Sequence, residues 1–470
     1  MSSWSRFRSS RGFVVSVVAV AVFTDAFIYD MIIPILPITL QTRIHVPEEE
    51  LQMWMSILLA AFGGALFVGS PIVGYYADKS PSRQSPFLAG LLTLAGSTAV
   101  FWFSASLAML VLARVLQGLS AAVVWTVGMA VVVDTVGQDR VGAAMGIVST
   151  AMTVGTVTGP FLGGIIVTRA GYHAVLLMAI ALIVLDIVLR LAMIEPQSAP
   201  QRPDDVQGLL DVSDQDGVAG YGSPGASQDL ERNDESISQE KHAALPGIVR
   251  LMCSSSLLIV LGSATVNACY FTAFDTVLPL YVMKIFGWGP QGIGFCFIPL
   301  FAPSFLSPVI GHAVDRVGAR TVASVGFLLD FPAFLLLRFI VRDSTTDKIV
   351  LYLLLLVAGF ASTLQMVALM VEVNRVVEQR QKECPGIFGQ KGGTAQGYGL
   401  FNVAWSGGQV LGPLLAGVLI DHFGWGTMVC TFGVLSAITA ALLAGADGKV
   451  IRRLWGGRED DCEDILHTTA

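Results

Sequence analysis

The chain has 470 residues, of which 54% are hydrophobic and only 13% charged, against roughly 25% charged in a soluble domain. With a mean hydropathy of +0.68 it reads as a polytopic membrane protein. The net charge of −7 comes mostly from one acidic loop, and no basic stripe marks a nucleic-acid binder.

Arg6, Arg8 and Arg11 precede the apolar "GFVVSVVAVAVF", as in a signal peptide. The apolar run is too long for one and no small-residue cleavage site follows, so an uncleaved first helix is expected. Windows of about 20 apolar residues, enough to cross ~30 Å of hydrocarbon, predict twelve spans. They are 12–39, 51–77, 86–104, 107–133, 142–168, 173–194, 252–283, 291–314, 321–341, 349–373, 395–420 and 425–445. Only helices satisfy their own backbone at this density of apolar residues, so the fold class is an all-α membrane protein. With both termini cytoplasmic, the outer loops hold only Arg43, Arg169, Lys284, Arg342 and Lys348; the positive-inside rule favours this orientation.

Span 1 carries "TDAFIYDMIIPILP", with Asp25 near mid-depth and Asp30 further out. An ionisable group inside the membrane is a functional hypothesis by default. A carboxyl there can load a proton on one side and release it on the other; Asp25 is read as a coupling residue or a buried structural hydrogen bond. Five residues turn a helix by ~140°, so Asp30 is expected on another face, in an outer gate or solvated at a helix end. Arg114, in the outer half of span 4, keeps its guanidinium charge and needs an anion or carbonyls nearby; Gln117 and Gly118 accompany it. Gly155, Gly159, Gly163 and Gly164 clear one face of span 5 around Pro160, which permits close helix packing or a bend. Asp186 and Arg190 are spaced for an i,i+4 ion pair on span 6.

Residues 196–246 are acidic and rich in Gly, Ser and Asp, so a disordered cytoplasmic linker is expected there. It divides the chain into a tail (1–11), an N-terminal six-helix bundle (12–195), a C-terminal bundle (247–445) and a second tail (446–470). The halves repeat each other. "YDMIIPILP" in span 1 matches "FDTVLPLYV" in span 7, aligning Asp30 with Asp275 and Pro34 with Pro279. "GYYADKSPSR" matches "GHAVDRVGAR", "AVVVDTV" matches "ALMVEVN" (Asp134 to Glu372), and "GTVTGPFLGG" matches "GGQVLGPLLAG". Asp30 and Asp275 are therefore read as an outer-gate pair. Asp78, Arg83, Asp134, Asp315, Arg316 and Arg320 are read as inner-gate residues, where a carboxylate can face the positive end of a helix in the other half.

These residues resemble the major facilitator superfamily over the whole chain apart from linker and tails. Gly74, Asp78, Lys79 and Arg83 are similar to its G-x-x-x-D-[RK]-x-G-[RK]-[RK] loop, with Pro81 in place of the second glycine. Gly311, Asp315, Arg316, Gly318 and Arg320 match that loop more fully. "RVLQG" resembles the R-x-x-Q-G element of proton-coupled members, and "GTVTGPFLGG" resembles the G-x-x-x-G-P-x-x-G-G element of the antiporter branch. The first span resembles twelve-span drug:proton antiporters, in particular the fungal vesicular-amine-transporter-like branch. The resemblance implies two pseudo-symmetric bundles, with Asp25, Arg114, Gln117, Glu372 and Asn402 in proton or substrate coupling. Asn402 stands where the amine transporters carry a second carboxylate.

Asp330 in span 9 has no sequence-level account. The six cysteines form no pairing pattern, all six histidines fall in loops, tails or span ends, and no metal site is expected. "GIFGQKGGT" lacks the Lys-Ser/Thr of a phosphate loop. The expected function is a proton-driven antiporter exporting drugs, toxins or secondary metabolites. A vacuolar or vesicular organic-ion:proton exchanger and a nutrient:proton symporter are the alternatives. No enzyme activity and no cofactor are expected, the proton gradient being the energy source. The partners are a small-molecule substrate, protons and lipid, with the chain a monomer, most simply in the plasma membrane.

Overall fold

The structure is a computed structural model that describes residues 8–79, 84–136, 141–193, 254–383 and 394–445. The expected linker, residues 1–7, the whole expected C-terminal tail and Arg83 lie outside the described residues.

Twelve spans are present among the described residues. Eleven helices are long and apolar enough to cross a membrane, and the last of them holds two spans. That helix, Thr394–Gly445, breaks at Gly424 (φ 80°), a left-handed conformation that glycine adopts without a steric penalty. Gly171, also at φ 80°, makes the corresponding break between span 5 (Val141–Ala170) and span 6 (Tyr172–Ala192). Each break is followed by an aromatic tether to the end of the third span of its half. Tyr172 donates to the Phe101 carbonyl at 3.0 Å and Trp425 to the Leu337 carbonyl at 2.9 Å. The duplication therefore extends beyond the matched motifs.

Several spans are interrupted, and in span 1 the cause is a proline. Pro34 cannot donate to the carbonyl of Asp30, so span 1 ends its first helix (Arg11–Ile32) there and resumes as Leu36–Thr42. Pro279 lies four residues after Asp275 in the unbroken helix Ser255–Phe286 of span 7. Span 8 runs as Pro290–Phe301, a 3₁₀ stretch Ala302–Leu306 and Ser307–Val317. Span 4 runs as Leu107–Val123 and Met129–Val136, joined by a π-helical turn at Val124–Gly128. Span 10, Thr345–Glu383, starts from a capping arrangement in which the Asp347 N–H donates to Ser344 Oγ (3.1 Å) and Ser344 to Asp347 Oδ1 (2.7 Å).

Span 5 lies on span 1 and span 11 on span 7 within the halves. Between the halves, span 2 (Leu51–Lys79) meets span 11, and span 5 meets span 8. The closest approaches fall from mid-depth to the expected outer side: Gly63 on Gln409, Gly417 on Ser56, Gly164 on Pro290 and Gly294 on Pro160. Asn402, two turns inward of Gln409 on the same face of span 11, is exposed. Among the described residues, the halves thus approach most closely from mid-depth to the expected outer side.

Candidate functional site

Where the halves close, three spans bring charge together in the interior. Asp30 (span 1), Arg114 (span 4) and Asp275 (span 7) are each at most 2% exposed. Arg114 donates through Nη1 to Gln117 Oε1 at 3.2 Å. Its guanidinium carbon lies 5.3 Å from the Tyr29 ring centroid and 5.7 Å from that of Phe62, within range of a cation–π attraction. Tyr29, Asp275 and Asp30 are the groups whose charges act on Arg114. Asp275 and Asp30 also act on one another, and Thr156 of span 5 reaches Asp30. Several polar atoms here accept or donate no hydrogen bond within the protein: Asp30 Oδ1, both Asp275 oxygens, and Nε and Nη2 of Arg114. Two carboxyls stand against one fixed cation. With both ionised the cluster carries a net charge of minus one, and one proton makes it neutral.

The glycine face of span 5 positions this cluster. A Cβ on Gly159 would stand 2.7 Å from the Phe27 carbonyl and 3.1 Å from Asp30 Cβ. Gly155 and Gly163 face the Phe23 and Met31 carbonyls in the same way, at 2.6 and 2.8 Å. Only a glycine row lets the two backbones approach so closely. The second copy repeats it, with Gly408 and Gly412 against span 7.

Of the two readings open for Asp30, the solvated one is excluded here. Asp30 and Asp275 are not solvated at helix ends; both are buried. Arg114 gathers Asp30 and Asp275 rather than Asp25. Asp25 sits on another face of span 1, as the ~140° separation requires, and its Oδ2 accepts from Trp125 Nε1 at 3.3 Å. Trp125 belongs to the π-helical turn, a feature that recurs at functional sites. The expected Asp186–Arg190 ion pair does not form among the described residues: Asp186 faces Thr24 and Asp25, while Arg190 lies 4.5 Å over the Phe87 ring and 3.3 Å from Met193 Sδ.

Glu372 is also placed apart from the coupling group. It pairs with Arg320 at 2.5 Å, and Arg320 Nη2 donates to Ser256 Oγ at 2.5 Å, tying spans 10, 9 and 7 near the expected cytoplasmic end. Asp315 and Arg316 are exposed. Asp78 and Asp134 lie on helices, but their side chains fall outside what the structure describes. Asn402 is exposed on the inward part of span 11.

Tyr29, Phe62, Trp125 and Thr156 were missed by sequence reasoning. An indole N–H at mid-membrane is a polar signal that could have marked Trp125. Among the described residues, no group of His, Cys, Asp and Glu could hold a metal ion.

The family model described as Major Facilitator Superfamily matches residues 18–380 and 260–459. The MFS-type transporter C18.02 of Schizosaccharomyces pombe, itself uncharacterized, is 34% identical over 448 residues, 94% of this chain and 97% of the relative. The MFS-type transporter ppzB of Metarhizium majus is 32% identical over 438 residues, 89% and 96% of the two chains. Multidrug resistance protein Stp of Mycobacterium tuberculosis is 26% identical over 337 residues, 68% and 61% of the two. The crystal structure of the human organic anion transporter MFSD10 (TETRAN) shares the fold, with a TM-score of 0.62 at 20% identity, covering 92% and 99%. A duplicated twelve-span architecture, a family match along most of the chain and relatives spanned nearly end to end agree: the chain belongs to the Major Facilitator Superfamily and is a multi-pass membrane transporter.

Proposed function

We propose that this transporter is a proton-coupled antiporter that exports small organic molecules by alternating access of its two halves. The observation that carries the reading is the Asp30–Arg114–Asp275 cluster, buried where the halves meet. An excess negative charge is expensive in a site without water, so the ionised cluster favours parting of the outer side, which hydrates it. One bound proton removes that excess and favours the closed arrangement. Proton binding is then linked to which side the cleft faces, and both steps share one free energy. The printed name of the Mycobacterium tuberculosis relative, a multidrug resistance protein, supports small organic substrates.

In the same reading, the Arg320–Glu372 pair holds the inner end of the C-terminal half, together with Asp78, Arg83, Asp134, Asp315 and Arg316. Asp25, bonded to Trp125, faces substrate, and Asn402 lines the inward cleft. The energy source is the proton gradient, with no cofactor, in a monomer of the plasma membrane with cytoplasmic termini.

The test is a proteoliposome assay with an internal pH-sensitive dye. A panel of organic cations and anions is added on one side, and dye response is read with and without an imposed proton gradient. Antiport predicts counter-movement of protons with at least one compound, abolished in Asp30→Asn/Asp275→Asn. Compound flux that ignores the gradient in wild type and variant alike overturns the reading.

A further inference from the structure

Asp330, which no motif explains, is buried in the C-terminal bundle away from the half-to-half cluster, at 1% exposure. Its Oδ2 accepts from Gln365 Nε2 at 2.6 Å. Gln365 Oε1 in turn accepts from Asn267 Nδ2 at 2.5 Å, and Asn267 Oδ1 accepts from Ser362 Oγ at 3.4 Å. A polar chain therefore joins spans 9, 10 and 7 and ends at Ser362, which is only half-buried. Gly326, one turn before Asp330, makes room for it: a Cβ there would stand 2.9 Å from Gln365 Cγ.

The fold does not need this chain. The two halves can be registered by structure, since Gly90 faces Val123 as Gly326 faces Ala361, and the Phe101 tether matches that at Leu337. In those registers, and that of Asp30 with Asp275, the counterparts of Asp330, Gln365 and Asn267 are Leu94, Val127 and Val22. All three are apolar and buried. One half builds the same helix packing from hydrocarbon; the other introduces an acid at a depth where a charge is expensive.

The acid is also incompletely matched. Asp330 Oδ1 has no hydrogen-bond partner, and the charge of Asp330 acts on the Tyr270 hydroxyl. Tyr270 is the ionisable side chain that faces Asp330 from span 7; span 10 presents the neutral Gln365, and span 12 brings Ser436 and Thr439 beside Tyr270. No cation faces the acid among the described residues. A permanently ionised carboxylate buried with one donor and no cation is costly. A carboxyl that takes a proton when one oxygen lacks a donor avoids that cost.

We infer that Asp330 is a second proton-binding site, held by Gln365 and separate from the Asp30–Arg114–Asp275 cluster, whose proton is exchanged as spans 7, 9 and 10 shift against one another. When ionised, Asp330 can accept from both Gln365 and Tyr270 and draws span 7 toward span 9. When protonated, it holds Gln365 alone. Span 7 also carries Asp275, so the site acts on the first cluster through that helix. This deepens the proton-coupled reading above and rests on it, but it can be tested without a transported compound.

Purified full-length protein is taken from about pH 5 to about pH 9, a window that reaches documented buried-carboxyl values. Infrared difference spectra follow the carbonyl band of protonated carboxyls, and an indicator dye counts released protons. The wild type should show a titrating band that is missing in Asp330→Asn and displaced in Asp330→Glu. Asp330→Asn should release one proton fewer per molecule. Size-exclusion profiles and thermal melts establish that Asp330→Asn is folded; Asp330→Glu, which keeps the acid, should recover the full proton count. A folded Asp330→Asn with the wild-type bands and proton count overturns the inference, as does a band that persists at every pH. Loss of gradient-driven exchange elsewhere in the protein would leave this titration intact, so the two readings fail separately.

Discussion

Asp25 and Asp30 lie five residues apart on one helix but have different neighbours, and substitutions should separate them. Asp30→Asn fixes one arm of the Arg114 cluster as neutral, leaving Asp275 as the one carboxyl against Arg114. Gradient-driven exchange should fall by at least about tenfold, equivalent to roughly 1.4 kcal/mol of lost coupling, while equilibrium binding of the same compound persists. Asp25→Asn keeps an acceptor for Trp125 Nε1, 3.3 Å away in the wild type, so it should lower affinity for cationic compounds and leave proton movement with neutral ones unchanged. Equal loss of coupling in both variants, measured by dye response and compound binding together, would show that the cluster is not the seat of coupling. Arg114→Met removes the cation from two buried acids, a change of about 3–5 kcal/mol unless both acids protonate. That variant should melt earlier as pH rises, because ionisation then leaves two uncompensated charges.

At the scale of the helix, the glycine row of span 5 makes the sharpest demand. In Gly159→Ala the new methyl meets the Phe27 carbonyl, the Met31 N–H and Asp30 Cβ at 2.7, 3.0 and 3.1 Å. Overpacking of this kind costs about 1–3 kcal/mol, and it pushes Asp30 out of register with Asp275. Gly146→Ala on the same helix meets nothing within 4 Å and serves as the control. Thermal melts should show a drop for Gly159→Ala alone, with exchange lost in step. The elements themselves were legible in the sequence: the spans, the matched Pro34 and Pro279 and the Gly-Pro row follow from hydropathy and repeated motifs. What each acid meets was not legible, because helix tilt and the partner helix decide which face a side chain addresses. The π-helical turn at Val124–Gly128 illustrates the difficulty. One extra residue in a turn rotates the rest of the helix by ~100°, and no residue type in "VWTVG" announces it. Asp330 remained unread for the same reason: its partners Gln365 and Asn267 are 35 residues away or more, on other spans.

For the whole molecule, the asymmetry between the two sides of the membrane is the property that transport must reverse. Span 11 touches span 2 from Gln409 outward to Gly417, where a Cβ would collide with Ser56 Oγ. Asn402, further inward on the same face, is exposed. If this is one of two alternating arrangements, a bond across the outer contact should trap it. Ser56→Cys with Gly417→Cys, in a background freed of Cys269, Cys296, Cys430 and the remaining cysteines, places two thiols where the backbones already lie side by side. Oxidation should stop exchange and reduction should restore it. In the oxidised protein a third cysteine, Asn402→Cys, should still react with a membrane-impermeant maleimide applied from the cytoplasmic side, and at the wild-type arrangement's full rate. Full exchange in the oxidised, cross-linked protein would mean that the outer contact never opens. Labelling of Asn402→Cys only from the opposite side would reverse the expected orientation of the chain while leaving the alternation itself in place.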